Sequence, residues 1–106
     1  MAIIVNYQLV LQWDAASLAD YDRMIQIEEA LIQGLGGDHD VDGHDEGSGQ
    51  MNIFVRTNDP KKAFDQAKAI LSKDDAWKDI RAAYREVSKN AYTILWPKGL
   101  AEFKVI

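Results

Sequence analysis

Gly47-Ser48-Gly49 lies between two segments of contrasting character, and that arrangement constrains the fold more than any other stretch of the chain. After it, Met51, Ile53 and Val55 alternate with Asn52, Phe54 and Arg56, which is the period of a strand. The run MNIFVRT is also apolar enough to lie inside a sheet. Before the turn, residues 38–46 read as a strand or loop rich in acids. Two extended segments joined across so short a glycine-containing turn make a β-hairpin. The hairpin fixes an antiparallel pair in mid-chain, and the flanking segments must build around it.

Those flanks have readable periods. Residues 3–13 open as a strand with Tyr7, Leu9, Leu11 and Trp13 on one face and Gln8, Val10 and Gln12 on the other. The two glutamines predict that the second face is partly wet. Asp14 or Ser17 offers a helix N-cap, and Leu18, Tyr21, Met24, Ile25, Ile27 or Glu28, Leu31 and Ile32 keep amphipathic spacing. Gly34, Gly36 and Gly37 end that helix, since glycine takes a left-handed C-cap without steric cost.

After the hairpin, Asp59 caps a second helix and Pro60 sits where its missing donor costs nothing. Its stripe is Phe64, Ala67, Ile70 and Leu71, with Lys61, Lys62, Asp65 and Lys68 outside. Asp74-Asp75 breaks this helix and opens a third, along which Trp77, Ile80, Ala83, Tyr84 and Val87 recur at helical spacing until Lys89-Asn90. Residues 91–96 form the last regular strand, with Tyr92, Ile94 and Trp96 alternating against Thr93 and Leu95. Pro97 and Gly99 close it, and Phe103, Val105 and Ile106 add a short edge strand or pack as a tail.

This order predicts an α+β fold: a ferredoxin-like βαββαβ sandwich with helices on one face of an antiparallel sheet and an extra helix before the last strand. The first and third strands then lie centrally. If Tyr92, Ile94 and Trp96 align beside Tyr7, Leu9 and Leu11 on the helix-free face, that face is apolar and needs a cover. A homodimer packed sheet to sheet supplies one.

At 106 residues the chain, residues 1–106, is one domain, and 47% hydrophobic with 27% charged residues is a globular composition. The absence of cysteine excludes disulfides, thiolate chemistry and cysteine-based zinc sites, and suits a reducing cytoplasm. The N-terminal apolar run has no basic residue ahead of it and is too short to span a bilayer, so an intracellular protein without a membrane partner is expected. A formal net charge of -5 disfavours nucleic acid as a partner and favours a basic protein or a cation.

Residues 38–46 hold five acids and two histidines, so unusual chemistry is sought there. Asp38, Asp40, Asp42 and Gly43 match the opening of a calcium loop, but Gly49 stands where the bidentate glutamate belongs and Asp45 where an apolar residue belongs. A looser divalent-metal site survives. His39 and His44 with Asp40, Asp42, Asp45 and Glu46 carry suitable ligand atoms, and alternation places Asp40, Asp42 and His44 on one strand face. No phosphate-binding loop, dinucleotide fingerprint or G-x-S-x-G elbow is present, and no nucleophile is paired with a base at a recognisable spacing. His44 beside Asp45 offers at most a general acid/base, which argues against an enzyme.

The run GHDEGSGQMNIFVRTNDPKKAF, residues 43–64, resembles the hairpin and second-helix entry of uncharacterised small bacterial domains of ferredoxin-like fold. The resemblance is carried by G-H-D-x-G-S-G, the N-I-F-V strand and the D-P helix start. It implies a fold and an intracellular bacterial setting, and transfers no catalytic residue. The function expected is a non-enzymatic interaction module, self-associating through its sheet, with Asp40, Asp42, His44, Asp45 and Glu46 as a polar recognition edge. Asp45 and Glu46 are its partner-binding residues. No cofactor is expected, and the alternative is a divalent-metal-binding protein or metal-dependent enzyme using the acidic cluster Asp38–Glu46, with Asp40, Asp42 and His44 as the metal ligands.

Overall fold

The computed structural model describes residues 7–14, 21–73 and 75–105. It is a small α+β fold with a five-stranded antiparallel sheet and two α-helices. In chain order these are β1 (Tyr7–Asp14), α1 (Tyr21–Gly34), β2 (His39–Gly47), β3 (Gln50–Thr57), α2 (Pro60–Leu71), a 3-10 helix (Asp75–Asp79), β4 (Arg81–Glu86) and β5 (Thr93–Trp96). The sheet order is β2-β3-β1-β4-β5, so β1 and β3 are interior and β2 and β5 are the edges. Residues 3–6 of the expected first strand, and Ser17 and Leu18 of the expected first helix, lie outside the described residues.

The hairpin forms as its sequence predicts. Gly47 pairs with Gln50, leaving Ser48 and Gly49 as a two-residue loop with φ of 52° and 79°. Two successive positive φ angles match the right-handed twist of the strands they join.

One face of the sheet carries the main core. Leu9, Leu11 and Trp13 on β1 lie beside Val55, Ile53 and Met51 on β3, and Met24, Ile27 and Leu31 of α1 close over them with Ala63, Phe64, Ala67 and Leu71 of α2. Asp59 caps α2 as expected, accepting a hydrogen bond from the Lys62 amide at 3.1 Å, with Pro60 in the first turn. Asp14 does not cap α1. It ends β1, and its carboxylate accepts from Arg81. Helix α1 does stop at Gly34, yet none of Gly34, Gly36 and Gly37 takes a positive φ. Gly34 serves packing instead: a Cβ there would lie 2.7 Å from Cδ1 of Ile70 on α2. Ile32, assigned to the buried stripe by spacing, is exposed.

The expected third helix is a correction. Among the described residues of this stretch, only 75–79 are helical, and as a single 3-10 helix; residues 81–86 form β4 along the second side of β1. Ala82 and Tyr84 face the main core while Ala83 faces the other side, so the same residues that recur at helical spacing also alternate. Arg, Ala and Glu favour a helix. The unpaired backbone edge of β1 decides otherwise, because buried N–H and C=O groups require partners.

The helix-free face holds the second correction. Tyr92 and Ile94 lie there, but Trp96 stacks on the opposite side with Phe64 and Trp77. A register shift between Ala82 and Ala83 inserts an extra residue in β5 and reverses its alternation. Leu9 and Leu11 also belong to the helix-covered core, so the aromatic row expected on the open face is absent. The C-terminal tail covers that face, with Phe103 packed against Val10 and Ala83. Among the described residues, no helix is long and apolar enough to cross a membrane.

Candidate functional site

Strand β2 reaches solvent because it is an edge, bonded only to β3. Its register slips between Val41 and Gly43, where Gly43 takes φ 124°, so Asp42 is an extra residue and the strand's alternation reverses there. Before the bulge, His39 and Val41 stand opposite Thr57 and Val55, which face the helices. After it, His44 and Glu46 stand opposite Ile53 and Met51 on that same face, while Asp40 and Asp45 oppose Arg56 and Asn52.

The bulge therefore divides the residues that plain alternation put together. Asp42 lies 3.8 Å from Arg56, on the face away from the helices. His44 turns to α1, its Nδ1 2.8 Å from a carboxylate oxygen of Glu28. Both partners of that pair are partly shielded, and Glu28, distant in sequence, was not among the residues expected to matter. Asp40, Asp42, Asp45 and Glu46 are exposed. His39 is a core histidine, 7% exposed, with Nδ1 2.7 Å from the Thr57 hydroxyl. Thr57 Oγ1 in turn accepts from the Asp59 amide, which couples β2 to the start of α2. Among the described residues, no three histidine, aspartate or glutamate side chains converge so as to hold a metal ion.

A second polar cluster is built from buried, uncharged amides. Gln12, Asn52 and Gln50 lie on the helix-free face of β1 and β3, 2%, 1% and 8% exposed. Gln12 was expected to be wet, and the tail over it is what makes it dry. Arg81 Nε donates to Gln12 Oε1 at 2.8 Å, and an arginine has no acceptor, so the Gln12 oxygen must face it. The Gln12 amide nitrogen consequently points at Asn52 Oδ1 (2.9 Å), Gln50 Oε1 (3.2 Å) and the Lys104 carbonyl (2.8 Å). Two hydrogens serve three acceptors, so one contact is shared.

At the outer end of this relay, Arg81 also donates to Asp14 at 2.8 Å. That hydrogen bond, with the attraction of the guanidinium charge, pulls the Asp14 carboxyl below the usual carboxylate range. On the tail, the hydrogen bond and charge of Glu102 raise the Lys104 ammonium above its ordinary value. Gln12, Asp14, Gln50, Arg81, Glu102 and Lys104 together line a groove of about 370 Å³. The groove contains no serine, cysteine or histidine, and its groups are suited to hold a chain by hydrogen bonds. The only hint in the sequence was that Gln12, Gln50 and Asn52 occupy strand positions where a sheet buried on both faces would have apolar residues.

No protein-family model, curated protein or solved structure matches the chain. The resemblance of residues 43–64 to small bacterial domains therefore rests on those residues alone.

Proposed function

We propose that this protein is a non-enzymatic, cytoplasmic binding module that presents the acidic edge of β2 to a basic protein partner. The observation that carries the reading is the exposure of Asp40, Asp42, Asp45 and Glu46 along a strand that is an edge of the sheet among the described residues, the position at which a further strand adds. The chain's net charge of -5 acts in the same direction, raising the rate of encounter with a cationic surface. The succession β2-β3-β1-β4, with a helix following β1 and another following β3, supports a ferredoxin-like assignment of the first four strands, with β5 an addition at the edge. Self-association through the sheet, the other half of the reading, requires the tail to leave the helix-free face, because Phe103 occupies it.

A labelled peptide alternating lysine and valine, which is both basic and strand-forming, tests the edge. Binding should weaken steeply as salt is raised and be lost in the double variant Asp40→Lys, Asp45→Lys. Equal binding by that variant, or no binding at low salt, rejects the acidic edge as a recognition surface.

A further inference from the structure

Helix α1 and strand β2 lie side by side and run in opposite directions. The Gly36 carbonyl, just past the end of α1, accepts from the His39 amide at 3.0 Å, and Glu28 meets His44 at 2.8 Å. Ile32 falls midway between those two contacts, one turn on from Glu28 and on the same side of the helix, which sets it level with Val41. The opposite side of α1 is taken by α2, since a Cβ on Gly34 would lie 2.7 Å from Ile70. Ile32 therefore overhangs the outer edge of β2. At 58% it is the most exposed large apolar residue among those described, and Val41 beside it is only partly buried.

An edge strand beneath an overhanging helix leaves a groove that one further strand fills by main-chain pairing, its side chains read alternately on two faces. A strand added to β2 meets unlike surroundings on those faces. On the helix side stand Val41, Ile32 and the shielded pair His44–Glu28. On the other side stand the exposed carboxylates of Asp40, Asp42 and Asp45. A second copy of β2 would set its own acids against these, and like charges facing each other destabilise a strand pair.

We propose, resting on the acidic-edge reading, that the groove between β2 and α1 takes an amphipathic strand of a basic partner protein. Its apolar side chains pack on Ile32 and Val41, and its lysines or arginines meet Asp40 and Asp45. Charge complementarity selects a cationic strand, and Ile32 selects which face of that strand turns to the helix. Ile32 is thus a specificity-determining residue, exposed in the free chain because the side chain that covers it belongs to the partner.

Two nine-residue peptides, the length of β2, test this on the full chain: one alternates lysine with valine, the other lysine with serine. Their charges are equal, so Asp40 and Asp45 attract both alike. The valine peptide should bind at least about tenfold more tightly than the serine peptide. Ile32→Ser should weaken the valine peptide about fivefold or more and leave the serine peptide unchanged. Because Ile32 is exposed, its replacement leaves the core intact. Equal affinity of wild type and Ile32→Ser for the valine peptide overturns the groove, and loss of both peptides in Asp40→Lys, Asp45→Lys then leaves the acidic edge standing without it. Failure of both peptides to bind at low salt removes the edge itself, and the groove with it. A peptide-free dimer in light scattering that Asp40→Lys, Asp45→Lys disperses makes a second copy the occupant and overturns the basic strand.

Discussion

The acidic strand β2 and the face beneath the tail are both polar, yet they are built in opposite ways. On β2 the charged groups are conspicuous in sequence and sparsely engaged in space: Asp42 reaches Arg56 at 3.8 Å, and Asp40, Asp45 and Glu46 extend into solvent. Under the tail, three uncharged amides that attract no notice in sequence are buried and bonded to one another, to Arg81 and to the Lys104 carbonyl. Charge density in a sequence therefore marks where water is. Buried amides mark where the fold has committed to one geometry, because a dry polar group without a partner is costly.

Substitutions should separate the two regions, starting with the largest effect. Gln12→Ala leaves Asn52 Oδ1 buried without its donor and Arg81 Nε without its acceptor, and should cost about 2 kcal/mol in denaturant unfolding. A loss below half of that would mean the tail relaxes and water enters. The His44–Glu28 pair joins β2 to α1 in a partly shielded setting. A double-mutant cycle with His44→Ala and Glu28→Ala should return a coupling of about 0.5–1 kcal/mol, and additivity would show that the pair holds nothing in place.

A smaller effect is expected from Asp14. Its folded carboxyl titrates below the unfolded value, so its contribution is present above about pH 4 and is lost as pH falls through the folded pKa. Asp14→Asn should slightly lower stability above about pH 4, leave the acid extreme unchanged, and so flatten the acid limb of the stability curve. The smallest effect is expected from metal. Zinc, manganese and calcium should leave the melting temperature unmoved, since Asp42 turns to Arg56 and His44 to Glu28 on opposite faces of β2. A saturable rise abolished by Asp42→Asn with His44→Ala would reinstate the metal alternative.

Local chemistry made part of this molecule legible in advance. The hairpin followed from Ser48-Gly49 and the alternation of Met51, Ile53 and Val55, and the start of α2 from Asp59-Pro60. These signals involve residues close in sequence, so no distant partner could overrule them. Residues 81–86 failed for the complementary reason. Their helical spacing is genuine, but Ile80, Ala82 and Tyr84 also alternate, and only the vacant side of β1 selects between the two periods. The candidate site divided along the same line. The location of the acids was plain, whereas one residue inserted at Asp42 undid the Asp40, Asp42, His44 grouping, and Glu28 entered from a helix, 16 positions earlier than His44.

The sequence alone determined the α+β class, the mid-chain turn with its following strand, the two amphipathic helices and the place of the acidic segment, because each rests on periods and turn residues that act over a few positions. Tertiary structure decided that β4 is a strand, that the bulge sends His44 to Glu28, and that the tail dries Gln12, Gln50 and Asn52. Each of those outcomes satisfies a backbone or side-chain polar group with a partner far along the chain, and no local pattern carries that information.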